Sequence, residues 1–229
     1  MHNKNEAKAR AACVRRWGNV VLLLAFAACF PLGFALPQTV SWELGPLESF
    51  QNVTLVAGLI FALWSARKLS GQASAYLLAI AAIFWLGFFG REVSWGAVFL
   101  PPKGITQWGP SYIGYSIWWK NYVRGALAVL ALVGVYWFFA KQLWRKVILR
   151  LAQEHALPVG TLVVFVLCLL TTINAEGHGF IHFQDWYGTQ VMVLEELVET
   201  LAYVCLFWAQ YLTVQHLRTW QRSSDWYAN

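Results

Sequence analysis

Charge is what this chain has least of. Only 12% of its 229 residues are Asp, Glu, Lys or Arg, while 59% are hydrophobic and the mean hydropathy is +0.49. A soluble domain of this length carries about twice that charge, so a solvated globular enzyme is excluded. Cysteine is scarce as well: Cys29, Cys168 and Cys205 fall in apolar runs and Cys13 in a basic arm, with no CxxC and no zinc-finger spacing. A disulfide framework and a structural zinc module are excluded on that ground. A basic domain is also missing. The pI is near 9.3, but the basic residues sit in short loops between apolar runs and form no nucleic-acid-reading motif. Nucleic acid is therefore not the expected partner.

What is present is apolar length. Runs at roughly 17–36, 48–66, 75–98, 119–140, 157–174 and 188–213 come close to the ~20 residues a membrane span needs. They predict an all-α integral membrane protein, a bundle of about six transmembrane helices. Residues 1–16 read as a basic cytoplasmic arm, 17–216 as the six-span domain and 217–229 as a cytoplasmic tail. Phe34-Ala35-Leu36-Pro37 imitates a signal-peptide cleavage region, yet the run before it is too long for a signal core and favours a retained helix. An even number of spans puts both termini on one side. Thirteen of the seventeen Lys and Arg fall on that side, which the positive-inside rule makes the cytoplasm of a bacterial inner membrane. The lipid bilayer is the first partner this implies.

The acidic residues go the other way. Glu43, Glu48, Glu92, Glu176, Asp185, Glu195, Glu196 and Glu199, eight of eleven acids, fall in the outer half. An ionised carboxylate in hydrocarbon needs a counter-charge, a proton, a metal or a wet cavity. Glu195 and Glu199 share a helix face with Tyr203 one turn on, Glu196 points about 100° away, and Glu48 opens the second span. Arg91, Lys120 and Arg124 lie in or near the same halves of the spans, as structural ion-pair partners or substrate-binding groups together with Glu48, Glu196 and Tyr203. The five span acids outnumber these three bases.

His178 and His182 precede the last span, and on a helix they would face the same way. With Asp185 they form a candidate divalent-metal set suited to zinc, manganese or iron. In that reading Glu92, Glu195 and Glu199 are the candidate catalytic carboxylates, and a metal-bound water attacks a lipid or polyprenyl-linked substrate. Two other readings stay open. One is a non-catalytic subunit or assembly partner of a membrane complex, held together by its ion pairs. The other is a proton- or cation-coupled carrier. Gly104, Gly109, Pro110 and Gly114 break any helix between Pro101 and Trp118. Trp108, Tyr112, Tyr115, Trp118 and Trp119 place that segment at the headgroup level.

The stretch Phe89-Gly90-Arg91-Glu92-Val93-Ser94-Trp95-Gly96, with Glu48 before it and Leu194-Glu195-Glu196-Leu197-Val198-Glu199 after it, resembles an uncharacterised family of bacterial polytopic membrane proteins. Its members carry an acidic pair or Arg-Glu before a Ser-Trp-Gly-like motif and a Glu-rich last span; here Arg91-Glu92 replaces the commoner Glu-Glu. The resemblance implies a polytopic fold and no particular activity. Glu92, Ser94, His178 and His182 also resemble, more loosely, the ceramidase-like membrane hydrolases. That likeness implies a metal-dependent site, although six spans stand here where that group has seven.

Overall fold

The computed structural model describes residues 2–106, 109–112 and 117–227. Trp108, Gly114 and Tyr115 of the aromatic segment lie outside the described residues, as do the side chains of His2, Lys4, Lys8, Arg10 and Arg222. Helix α1 runs His2–Ala35, α2 Pro46–Lys68, α3 Ala73–Glu92, α4 Lys120–Ala140, α5 Leu149–Gln153, α6 Val159–Ala175, α7 Gln184–Tyr187 and α8 Val191–Tyr227. The one sheet among the described residues is a two-stranded ribbon, β1 (Gly104–Thr106) against β2 (Gly109–Ser111). The segment expected to be irregular therefore contains a short antiparallel ribbon, with Gly104 and Gly109 at the start of its two strands.

Every apolar run coincides with a helix. Ala12–Ala35, Gln38–Lys68, Ala73–Glu92 and Lys120–Ala140 are long and apolar enough to cross a membrane, while Val159–Ala175 is shorter. The basic arm is continuous with the first of these, and α1 and α8 extend well beyond an apolar stretch. The third helix ends at Glu92, earlier than the hydrophobic run, because the backbone turns there.

Some polar residues are buried beside the hydrophobic cores, and many large apolar residues are exposed. Gln51, Ser65, Ser74, Thr161, Glu48 and Glu199 are buried, while Leu24, Val53, Ile60, Leu132, Tyr136 and Phe139 are exposed. In lipid, buried polar groups meet one another and exposed apolar faces meet acyl chains, an arrangement this distribution is consistent with.

The chain forms two compact units, one of residues 1–41 with 158–212 and the other of 42–157 with 213–229. In the first, Leu22 and Cys29 of α1 share a core with Val164 and Cys168 of α6, Phe183 and Tyr187 near α7, and Val198 and Cys205 of α8. All four cysteines are free thiols. The Tyr187 hydroxyl donates to the Phe30 carbonyl at 3.0 Å, and its ring stacks on Phe34 with centroids 3.9 Å apart. Between α1 and α6, Thr161 Oγ1 donates to Asn19 Oδ1 at 2.8 Å, a polar tie worth about 0.6 kcal/mol in a membrane interior.

In the second unit α2 and α3 pack closely. Trp85 lies flat on α2 at Gly58, where an added Cβ would come within 2.5 Å of its ring. Only a residue without a side chain lets the helices approach so near. Leu69, Leu78, Val147, Leu151, Val214 and Leu217 form the other core of this unit.

Candidate functional site

The best-constructed polar region of the second unit lies where α3 ends. Glu92 closes the helix, and the backbone turns through left-handed conformations at Ser94 (φ 45°), Trp95 (φ 58°) and Gly96 (φ 96°). Two consecutive non-glycine residues in that region are costly and must be held from outside. The holding groups come from the preceding turn and from the start of α4. Trp95 packs against Gly90, where a Cβ would lie 2.8 Å from its ring, and Trp119 covers Gly96. Trp119 Nε1 donates to the Trp95 carbonyl at 3.1 Å. The Arg124 guanidinium carbon sits 5.1 Å from the Trp95 ring centroid, within the range of a cation–π contact. Val93, Ala97, Val98, Tyr112 and Ile117 form a small core behind the turn.

Arg91 and Glu92 pair with each other, Arg91 Nε donating to Glu92 Oε1 at 3.3 Å; the arginine side chain is 52% exposed and the glutamate 8%. No such pair joins Lys120 or Arg124 to a carboxylate among the described residues. Arg124 goes to an aromatic face instead, and Lys120 is the first residue of α4.

Glu48 is structural before it is anything else. It stands in the first turn of α2, behind Pro46, and its Oε2 accepts the backbone N–H of Leu44. It thus reaches back across the helix start as a capping-box glutamate does, with its charge at the favourable dipole end. Its other oxygen, Oε1, is buried with no hydrogen-bond donor among the described residues. The carboxylates of Glu43 and Glu92 lie within electrostatic reach of it, and Glu43 accepts the backbone N–H of Tyr112. Glu43, Glu48 and Glu92 thereby come together in one unit.

The other candidates belong to the first unit. Glu199 and Tyr203 are buried and Glu195 and Glu196 half-buried on α8. Each of these four interacts with neighbours, and Thr200 Oγ1 donates to the Glu196 carbonyl at 2.7 Å. His178, His182 and Asp185 are exposed. The segment carrying the histidines is not helical: Gly177 takes φ 80°, and Asn174 Oδ1 accepts the backbone N–H of Ile181 at 2.7 Å across the resulting loop. The shared helix face on which the HxxxH spacing depends is therefore absent. No group of three or more His, Cys, Asp or Glu side chains among the described residues converges to hold a metal ion. The donor set does not fit a divalent metal, and no step is assigned to one.

Sequence reasoning missed a trench. Between α3 and α4 lies an apolar cavity of about 780 Å³, walled by Ile80, Phe84 and Phe88 on one side and Leu127, Ala131 and Phe138 on the other. Gly87 and Gly134 widen it, Trp95 closes one end, and Arg91 is the charged residue of its lining. The size is that of a small-molecule site. Its signal in the sequence was the alternation of large and small residues along both helices, which reads equally well as helix packing.

Comparisons with protein-family models, curated proteins and solved structures found no match to this chain.

Proposed function

We propose that this protein is a six-span protein of the bacterial cytoplasmic membrane, both termini in the cytoplasm, that binds an amphiphile from the bilayer in the α3–α4 trench. The observation that carries this reading is the trench itself: an apolar wall along two helices, with a half-exposed arginine at one end. An amphiphile has the same layout, a long apolar body and one polar head. The carboxylates have roles beside it. Glu92 orients Arg91, Glu48 caps α2, and the acids of α8 serve the first unit. The reading is one of binding and gives these residues no bond-breaking step.

The sidedness rests on the basic loops, and the count of six on the six helices that match the apolar runs. Glu195, Glu196 and Glu199 would be tolerated within α8 because that part of the helix faces protein: Leu194 and Val198 are fully buried. The test is to purify the protein in mild detergent, extract the bound lipid and identify it by mass spectrometry. Wild type should carry near-stoichiometric lipid. Gly87→Phe should lose it, since a side chain at Gly87 meets nothing within 4 Å and would extend into open space. Equal lipid in both proteins would sink the reading.

One observation favours a second reading, that of an assembly subunit. Among the described residues Gly134 is the single buried residue of α4, and the rest of the helix is exposed or half-exposed. A partner helix lying along α4 would cover the same trench. It would show as a protein co-purifying in fixed ratio and lost from Gly87→Phe.

A further inference from the structure

The charges of the second unit separate along its helices. Glu48 stands in the first turn of α2 and Arg67 in its last, ~28 Å apart at ~1.5 Å per residue. Glu92 likewise ends α3, which Ala73 begins. Beside the α2–α3 turn, at the end away from these acids, lies a second cavity of about 700 Å³. Its lining passes from Arg67 to Leu63 and Ile60, one and two turns back along α2, and Trp64, Tyr76 and Trp137 give it aromatic walls.

Two more cations rest on those walls. The Arg218 guanidinium carbon lies 4.6 Å from the Trp64 ring centroid, and Lys141 Nζ lies 5.0 Å from that of Tyr76, both within cation–π range. None of the three cations has a carboxylate partner among the described residues. Glu154, the acid that follows α5, is already occupied by Trp220, His216 and Arg150. Arg218 Nη2 is buried and donates to no acceptor among the described residues. A buried donor of that kind is costly until it is satisfied. Amid three cations, the acceptor that fits it is an anion.

The rest of the lining says which anion. A free inorganic ion would meet the cations and leave Ile60, 61% exposed, and Leu63, 49% exposed, uncovered beside them. A phospholipid meets both at once. The two helices that form the groove are each long and apolar enough to cross a membrane, so lipid is the medium around it. Independently of what fills the α3–α4 trench, we propose that this groove binds an anionic phospholipid, its phosphate among Arg67, Lys141 and Arg218 and an acyl chain against Leu63 and Ile60. A zwitterionic headgroup brings its own cation to the same place and loses the advantage. The count of Lys and Arg assigns this end to the cytoplasm, the side on which anionic lipids concentrate.

The experiment is a titration of the purified full-length protein in detergent, read by native mass spectrometry. Its ligands are phosphatidylglycerol and a phosphatidylcholine of the same chains, each with chloride and with inorganic phosphate at constant ionic strength. Phosphatidylglycerol should bind roughly tenfold more tightly than phosphatidylcholine, in either salt. Arg218→Gln should remove most of that preference. Arg67→Gln with Lys141→Gln, both at exposed positions, should bring the two lipids within roughly twofold of each other and serves if Arg218→Gln does not fold. Gly87→Phe, which fills only the trench, should leave the preference intact. Equal binding of the two lipids by wild type, or a preference that survives all three basic substitutions, would overturn the proposal. Displacement of phosphatidylglycerol by inorganic phosphate would give the site to a soluble anion and overturn the lipid as its occupant. A protein co-purifying in fixed ratio in place of lipid, and lost with the basic substitutions, would overturn it as well. Loss of the preference in Gly87→Phe alone would move the anion site to the trench, overturning this proposal while amphiphile binding stands.

Discussion

Trp95 keeps a backbone conformation that a large side chain seldom adopts, and its neighbours share the cost of keeping it there. The Trp119 indole N–H satisfies its carbonyl. Trp119→Phe retains the ring and removes that donor, so it should lower stability by about 1 kcal/mol, seen as a drop in the thermal midpoint in detergent. Gly96→Ala should cost about 1 kcal/mol or more, because φ is 96° and Trp119 lies 3.3 Å from the new Cβ. Gly87→Ala is the contrasting case. Its site is helical and open, so it should be neutral or stabilise by roughly 0.5–1 kcal/mol. Glycines of similar appearance in the sequence thus differ in sign, and only the space around each one distinguishes them. The same limit applied to the Arg-Glu-Val-Ser-Trp-Gly motif. Its residues were visible at once, but their work in ending a helix depends on Gly90 and Trp119, one on the preceding turn and the other across a long loop.

Short elements depend on ties at their ends. Glu154, just after α5, accepts hydrogen bonds from Trp220 Nε1 at 2.7 Å, His216 Nε2 at 2.6 Å and Arg150 Nε at 3.1 Å. Arg150 also lies 4.1 Å from the Trp220 ring centroid. Partial burial pushes the Glu154 carboxyl up, but the bonds from Trp220, His216 and Arg150 outweigh it and hold the group below its ordinary value. A depressed acid contributes stability above its unfolded value and loses it as pH falls through the folded one. The tail of α8 should therefore be held firmly at neutral pH and loosen below the usual carboxylate range. The group is more than a third exposed, so the effect should not exceed about 1 kcal/mol. Limited proteolysis of the α8 tail across pH 3–7 reads it; Glu154→Gln should show little of the acid dependence. Helix α6 and the loop behind it show what spacing alone leaves undecided. His178 and His182 have the interval of a metal pair, but Gly177 releases the chain from the helix, and Asn174 fixes the loop.

At the scale of the whole molecule, composition was the most legible level. Low charge and apolar run length led to helices where helices are found, since each run is a local property. The trench and the meeting of Glu43, Glu48 and Glu92 depend on which faces of separate helices come together, and the single sequence carried no record of that. The proposed topology has its own test. Reporter fusions at residue 229 and in the 141–156 segment should behave as cytoplasmic, and one in the 101–103 segment as external. A terminal fusion reading external would remove the count of six. The division of the chain has a further consequence, in the order of events during synthesis. The first unit joins residues 1–41 to 158–212, with the second unit's main segment between them. At ~5–20 residues per second, roughly a hundred intervening residues delay the arrival of the partners of α1 by about ten seconds. Throughout that interval Asn19 of α1 is without Thr161, its partner on α6. The first helix thus completes its unit only after the intervening segment has been made.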